Sequence, residues 1–213
     1  GDFEDLSALA RRAAALGTDF VGVNPLHAPL VSDPERASPF APSSRRFLNP
    51  LYIAVDAVPG HDPADVDAAA SAAVRATDEV DYAAVAALKL AALRKAFARF
   101  RAGEIADGER LSAAFEAFRR ERGAPLEAHA LFEALSEKMV AEGHGAGWQD
   151  WPERFRDRSD VAVSGFATLH ADLVAFHAWL QWLADRQLRG AQAAARAAGM
   201  RIGLYLDLAV GTA

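Results

Sequence analysis

Asp207 sits in the apolar run Ile202-Gly-Leu-Tyr-Leu-Asp-Leu-Ala-Val210. A carboxylate left ionised and unpaired inside a buried strand costs several kcal/mol. It must therefore be paired, hydrogen-bonded or placed at the strand's carboxyl end, the rim where α/β barrels gather their working residues. Two readings stand: a binding acid on that rim, or a capping or ion-paired aspartate that opens the next turn.

More candidates lie between two other apolar runs, Thr18 to Asn24 and Leu51 to Val55. His27, Ser38-Pro39-Phe40 and Asn49-Pro50-Leu51-Tyr52 combine hydroxyl, amide and imidazole groups with aromatic faces, and the prolines fix φ. Rigid loops of this kind suit sugars, whose rings stack on aromatics and whose hydroxyls need partners; the same residues also make ordinary turns. His27 is placed to donate to a substrate hydroxyl. Arg45 and Arg46 are expected to be solvated or paired with Asp33 or Glu35.

Other chemistries find no support. His170 and His177 are two helical turns apart, too far to share a metal ion without a third ligand. The chain has no cysteine and no GxGxxG, P-loop or GxSxG pattern, so no metal or cofactor is expected. Trp148, Trp151, Trp179 and Trp182 are assigned to packing.

The elements that must hold these residues follow from periodicity. Phe3, Leu6, Leu9, Ala10, Ala13 and Leu16 share one helical face, with Asp2 to cap it and Gly17 to end it. Phe20 to Val23 reads as a strand buried on both faces, and Leu51 to Val55 carries the last sheet signal for a long way. Helices are then expected over 64–76, 81–101, 108–122 and 125–142, punctuated by glycines. Ser159 should cap a long helix reaching Ala198, broken near Gly165 or Gly190, before the strand that bears Asp207.

Composition narrows the partners. With 213 residues, 52% hydrophobic content and net charge −6, the chain has material for a sizeable core. It lacks the basic surface that nucleic acid or an anionic membrane requires. No apolar run approaches the roughly 20 residues of a membrane span, and the cysteine-free composition suits a reducing cytoplasm. The chain opens on Gly1 and stops just past a strand, at Gly211-Thr212-Ala213, so both ends are expected to be cuts through a longer protein.

Four stretches carry a resemblance. They are Gly17-Thr-Asp-Phe-Val-Gly-Val-Asn-Pro-Leu-His27, Ser32-Asp-Pro-Glu-Arg-Ala-Ser-Pro-Phe40, Ser43-Ser-Arg-Arg-Phe-Leu-Asn-Pro-Leu-Tyr-Ile53 and Gly199-Met-Arg-Ile-Gly-Leu-Tyr-Leu-Asp-Leu-Ala-Val-Gly211. In this order they resemble the bacterial 4-α-glucanotransferases, the amylomaltases or disproportionating enzymes of the α-amylase clan. Val80-Asp81-Tyr82 with Lys89 and Phe97, and the Trp148 to Arg158 segment, are similar to further parts of that family.

The resemblance implies an α/β fold: a partial (β/α)8 TIM barrel of about two strands with a large, mostly α-helical insertion. Residues 1–62 would be barrel helix, strand and active-site loop, 63–147 the insertion, and 148–213 the return to the barrel. It implies transfer of α-1,4-glucan segments to glucose or maltodextrin acceptors by a retaining double displacement, with maltodextrin and the remainder of the barrel as partners. The nucleophile and acid/base would lie outside this chain. What falls inside is a donor-side wall. Asp207 matches the sugar-binding aspartate that ends a barrel strand, Ser38 matches a loop serine reaching the same sugar, and His27 and Asn49 lie beside them. Phe40 stands where many relatives carry tyrosine, keeping the ring but losing a hydroxyl. An α-glucan hydrolase of the same clan and a non-catalytic helical interaction module on residues 63–147 are the alternatives.

Overall fold

A computed structural model describes residues 1–211; the end of the expected 148–213 segment, Thr212 and Ala213, lies outside the described residues. Helix α1 (Phe3–Ala15) starts at Asp2, whose carboxylate accepts the Glu4 and Asp5 amides while Asp5 accepts the Asp2 amide. This capping box satisfies donors that no helical carbonyl can reach. Gly17 turns the chain at φ 83°, and β1 (Phe20–Val23) follows. It pairs in parallel with β4 (Gly203–Leu206), Phe20 opposite Gly203 and Val23 opposite Leu206. Where the strands start, Arg201 grips Asp19 with a two-pronged ion pair, Nε to Oδ1 at 2.7 Å.

The expectation that β1 is buried on both faces is corrected. Helix α1 and α6 (Ala171–Ala197) cover one face only, where Val21 and Leu204 pack with Ala10, Ala191, Ala195 and Met200. On the other face Phe20 and Tyr205, ring centres 5.9 Å apart, remain largely exposed. One layer of helices can bury only one side of a pleated pair.

Leu51 to Val55 is not a strand but part of two 3-10 turns, Pro50–Tyr52 and Val55–Ala57. Pro50 has no amide to give a ladder, and the Asn49 side chain caps the first turn. The pairing occurs earlier, inside the polar stretch, where β2 (His27–Ala28) meets β3 (Ser44–Leu48) antiparallel.

The helical region contains α2 (Ala68–Arg75), α3 (Tyr82–Ala102) and α4 (Gly108–Ala141). The break expected after 122 is present: Gly123 leaves helical geometry at φ 58°, ψ −148°, and the helix resumes with Pro125 in its first turn. Asp160, not Ser159, caps α5 (Val161–Leu169), because Ser159 is bound to the Asp157 carboxylate. The bend falls at His170, 80° between α5 and α6, rather than at Gly165 or Gly190. Its cause is packing: α5 lies against Trp151 and Met139, whereas α6 must turn into the main core.

Residues Ala175 to Ala184 of α6 are all buried, as in a helix surrounded on every side. Trp179 meets Phe97 at 5.3 Å, and Trp182 meets Phe100 and Phe115 at 5.7 Å each. No single helix among the described residues is long and apolar enough to cross a membrane.

Three glutamines make α6 the spine of the site. Gln181 exchanges two hydrogen bonds with the Leu48 backbone of β3, and Gln187 does the same with Ala54. Gln192 accepts from the Leu204 amide at 2.6 Å and donates to the Ile202 carbonyl at 3.1 Å. A primary amide offers the donor and acceptor of a peptide group, so one helix holds both β4 and the hairpin in place.

Candidate functional site

Asp207 stands one step beyond β4. Its amide donates to the Val23 carbonyl at 3.3 Å, continuing the ladder past the carboxyl end of β1. Its Oδ1 accepts the Leu208 amide at 2.8 Å, and the residue is exposed. Oδ2 has no hydrogen bond among the described residues. The acid thus stands just past the apolar strand, where its Oδ1 holds the amide of the next residue, and needs no buried counter-charge.

His27, two residues after Pro25, is half-buried and lies close enough to Asp207 and Arg45 to feel both charges. Burial pulls its pKa below the ordinary value, the Arg45 charge lowers it further, and the Asp207 carboxylate raises it in part. Its Nε2 is buried without a hydrogen-bond partner among the described residues. Arg45 is exposed, as one of the two expectations had it, and is not paired with Asp33 or Glu35; Nη1 also donates to the Ala209 and Val210 carbonyls at 3.4 Å each. Asp33 instead pairs with Arg36 at 3.0 Å. Sequence reasoning missed Arg45 because carbonyl acceptors leave no trace in residue types.

Phe40 presents an exposed ring, and its backbone reaches the strand-end segment. A side chain at Gly211 would stand 3.1 Å from the Phe40 carbonyl oxygen, so glycine permits that approach. Ser38 is exposed, its carbonyl accepting the Ala41 amide in a tight turn. Asn49 is elsewhere: Oδ1 caps the Pro50 turn through the Leu51 amide at 2.9 Å, and the residue lines a separate cavity with Tyr52 and Lys89. Lys89 donates to the Leu51 and Ile53 carbonyls at 2.8 and 2.9 Å, anchoring the base of the loop. The structure therefore gathers Asp207, His27, Arg45 and the Phe40 backbone, and sets Asn49 apart.

Helix α4 supports the loop from beneath. His129 stacks on Phe47, 4.1 Å between ring centres and 3° from parallel, and Ser136 meets Ser32. Burial lowers the His129 pKa to about 3 and raises that of Glu133, one turn on, to about 8. Glu133 is 2% exposed; its Oε1 lies 3.9 Å from His129 Nδ1, and the Val31 backbone offsets part of the effect of burial. Next to it burial would raise Glu137, but the His177 hydrogen bond and Arg94, at 2.6 Å, hold it below its ordinary value. Burial keeps His177 itself below the usual histidine range, so its 3.2 Å contact with Glu137 is a hydrogen bond more than an ion pair. Trp151, Trp179 and Trp182 are core residues as expected, while Trp148 is 51% exposed. Among the described residues no group of three acidic, histidine or cysteine side chains is placed to hold a metal ion.

An acid just past one parallel strand, facing a long loop that springs from its neighbour, is the binding-face arrangement of an α/β enzyme. The family model described as 4-alpha-glucanotransferase matches residues 1–213, and the chain belongs to that family. It is 35% identical, over 99% of its length, to the 4-alpha-glucanotransferase of Haemophilus influenzae, and 38% identical to that of Mycobacterium tuberculosis. It spans only 32% and 30% of those proteins, about a third of the curated relatives it matches. Among solved structures it superposes on the amylomaltase from Corynebacterium glutamicum with a TM-score of 0.71 at 32% identity, covering all of this chain and 28% of that one. The amylomaltase from Streptococcus agalactiae in complex with acarbose, at TM-score 0.77 and 18% identity over 40% of its chain, shares the fold.

Proposed function

We propose that this chain is one segment of a longer 4-α-glucanotransferase of the cytoplasm, and that it supplies one wall of the glucan site. β1 and β4 are read as neighbouring strands of a (β/α)8 barrel, with residues 63–147 as a helical insertion on it. In this reading Asp207 accepts hydrogen bonds from sugar hydroxyls, Ser38 and His27 donate to the same ring, and Phe40 packs on its apolar face. Asn49 fixes the base of the loop. The nucleophile and the acid/base of the retaining displacement are assigned to parts of the polypeptide beyond this chain. Double displacement requires two carboxyl groups besides Asp207.

The observation that carries the reading is the Asp207 carboxylate one ladder step past Val23, beside His27 and the Phe40 loop, in a chain of this family. Maltotriose distinguishes the possibilities. The full-length protein is expected to give glucose and a ladder of longer oligosaccharides, and the 213-residue chain alone to give no turnover. Shortened products without a ladder identify a hydrolase. Turnover by the isolated chain overturns the placement of the catalytic acids elsewhere.

A further inference from the structure

We propose that the cleft between the β2–β3 hairpin, the second half of α4 and the Trp148 segment is a binding site for a phosphorylated sugar, separate from the rim that holds Asp207. The cleft is open on one side and has a volume of about 740 Å³, within the roughly 300–1,000 Å³ of small-molecule sites. Arg36, Arg46 and Arg158 line it against a single acid, Asp150, in a chain whose net charge is −6. Arg36 is paired with Asp33, but Arg46 and Arg158 form no ion pair among the described residues. Guanidinium groups remain charged and match phosphate oxygens with paired N–H donors. The helix that resumes at Pro125 adds the positive end of its dipole, since Ala124, Pro125 and Ala128 form part of the same wall.

Two further observations point to a ring beside the charge. Trp148 presents its indole at the rim, the one tryptophan of four that the core does not absorb. At the floor lies His129, its side chain 6% exposed, held flat on Phe47 with Nδ1 3.9 Å from Glu133 Oε1. A sugar ring on Trp148, with its phosphate held by Arg46 and Arg158, uses the exposed indole and the two guanidinium groups that form no ion pair among the described residues.

Binding is measured without turnover, so the proposal does not depend on the transfer reaction. Glucose 1-phosphate, inorganic phosphate, glucose and maltose are titrated by calorimetry into the full-length protein and into Arg46→Gln, Arg158→Gln and Trp148→Phe variants whose melting curves match the parent. Glucose 1-phosphate is expected to bind at this cleft. Each arginine variant should weaken it about tenfold or more, Trp148→Phe should weaken it severalfold, and Arg46→Lys should restore part of the loss. Equal affinity for inorganic phosphate with no effect of Trp148→Phe overturns the sugar assignment. Glucose or maltose binding that Arg46→Gln and Arg158→Gln weaken as much as they weaken glucose 1-phosphate binding overturns the role of the phosphate. An affinity for glucose 1-phosphate that both arginine variants leave unchanged, or no binding at all, overturns the site.

Discussion

Gln181 and Leu48 exchange two hydrogen bonds between the buried centre of α6 and the last residue of β3. The Leu48 amide donates to Oε1 at 2.9 Å, and Nε2 donates to the Leu48 carbonyl at 2.8 Å. The hairpin that carries His27 and Arg45 is thereby registered against the same helix that holds β4 through Gln192. Gln181→Leu keeps the volume but strands two backbone groups and should cost about 2 kcal/mol or more. Urea unfolding of the full-length protein measures it; an unchanged midpoint would show that the clasp does not hold the hairpin.

Glu133 and His129 set opposite pH slopes. Glu133 has a folded pKa raised to about 8, so the folded state holds its proton longer than the unfolded one, and stability falls as pH rises from about 4.5 to about 8. His129 has a folded pKa lowered to about 3, so stability falls as pH drops from about 6.5 to about 3. The slopes offset between about 4.5 and 6.5, leaving the glutamate loss between about 6.5 and 8. Glu133→Gln should remove that alkaline loss and raise stability at pH 8 by a few kcal/mol. Parallel melting-temperature profiles of parent and variant across pH 5 to 9 would contradict the assignment.

Arg45 acts on His27 through space as well as on the Ala209 and Val210 carbonyls. Removing its charge in Arg45→Gln should raise the His27 pKa toward its ordinary value, because one of the two effects that depress it is gone. Arg45→Lys should leave it depressed. Titration of the His27 ring by NMR reads this directly; no difference between glutamine and lysine would exclude the charge as a cause.

The frame of the molecule was legible where local chemistry decides it. Asp2 and Gly17 bound the first helix, Gly123 breaks α4, and Asp207 stands at a strand end, each for reasons carried by the residue itself. The failures were tertiary. Leu51 to Val55 is apolar because it packs under α6 and α3, not because it pairs, and the β2–β3 ladder forms in residues too polar to announce it. Phe20 reads as buried but lies on a face that no described element covers. Gln181, Gln187 and Gln192 look like surface residues until their backbone partners, far away in sequence, are brought to them. Asn49 lies next to the loop in sequence yet turns its oxygen to the Pro50 cap.

Phe40 gives a test by gain. If its ring packs against the sugar, Phe40→Tyr in the full-length enzyme adds a hydroxyl at the site's edge. One new hydrogen bond of about 0.5 to 1.5 kcal/mol should raise kcat/KM on maltotriose roughly two- to tenfold. An unchanged value would place the ring away from the reacting sugar.

The glucan site proposed at the strand ends depends on the Asp207 carboxylate. Initial rates of maltotriose disproportionation are compared for the full-length enzyme and its Asp207→Asn variant, with melting temperatures measured alongside. Loss of a charged acceptor for sugar hydroxyls should lower kcat/KM about 100-fold or more at an unchanged melting temperature. A kcat/KM within threefold of the parent would contradict the claim that this strand-end acid binds the glucan.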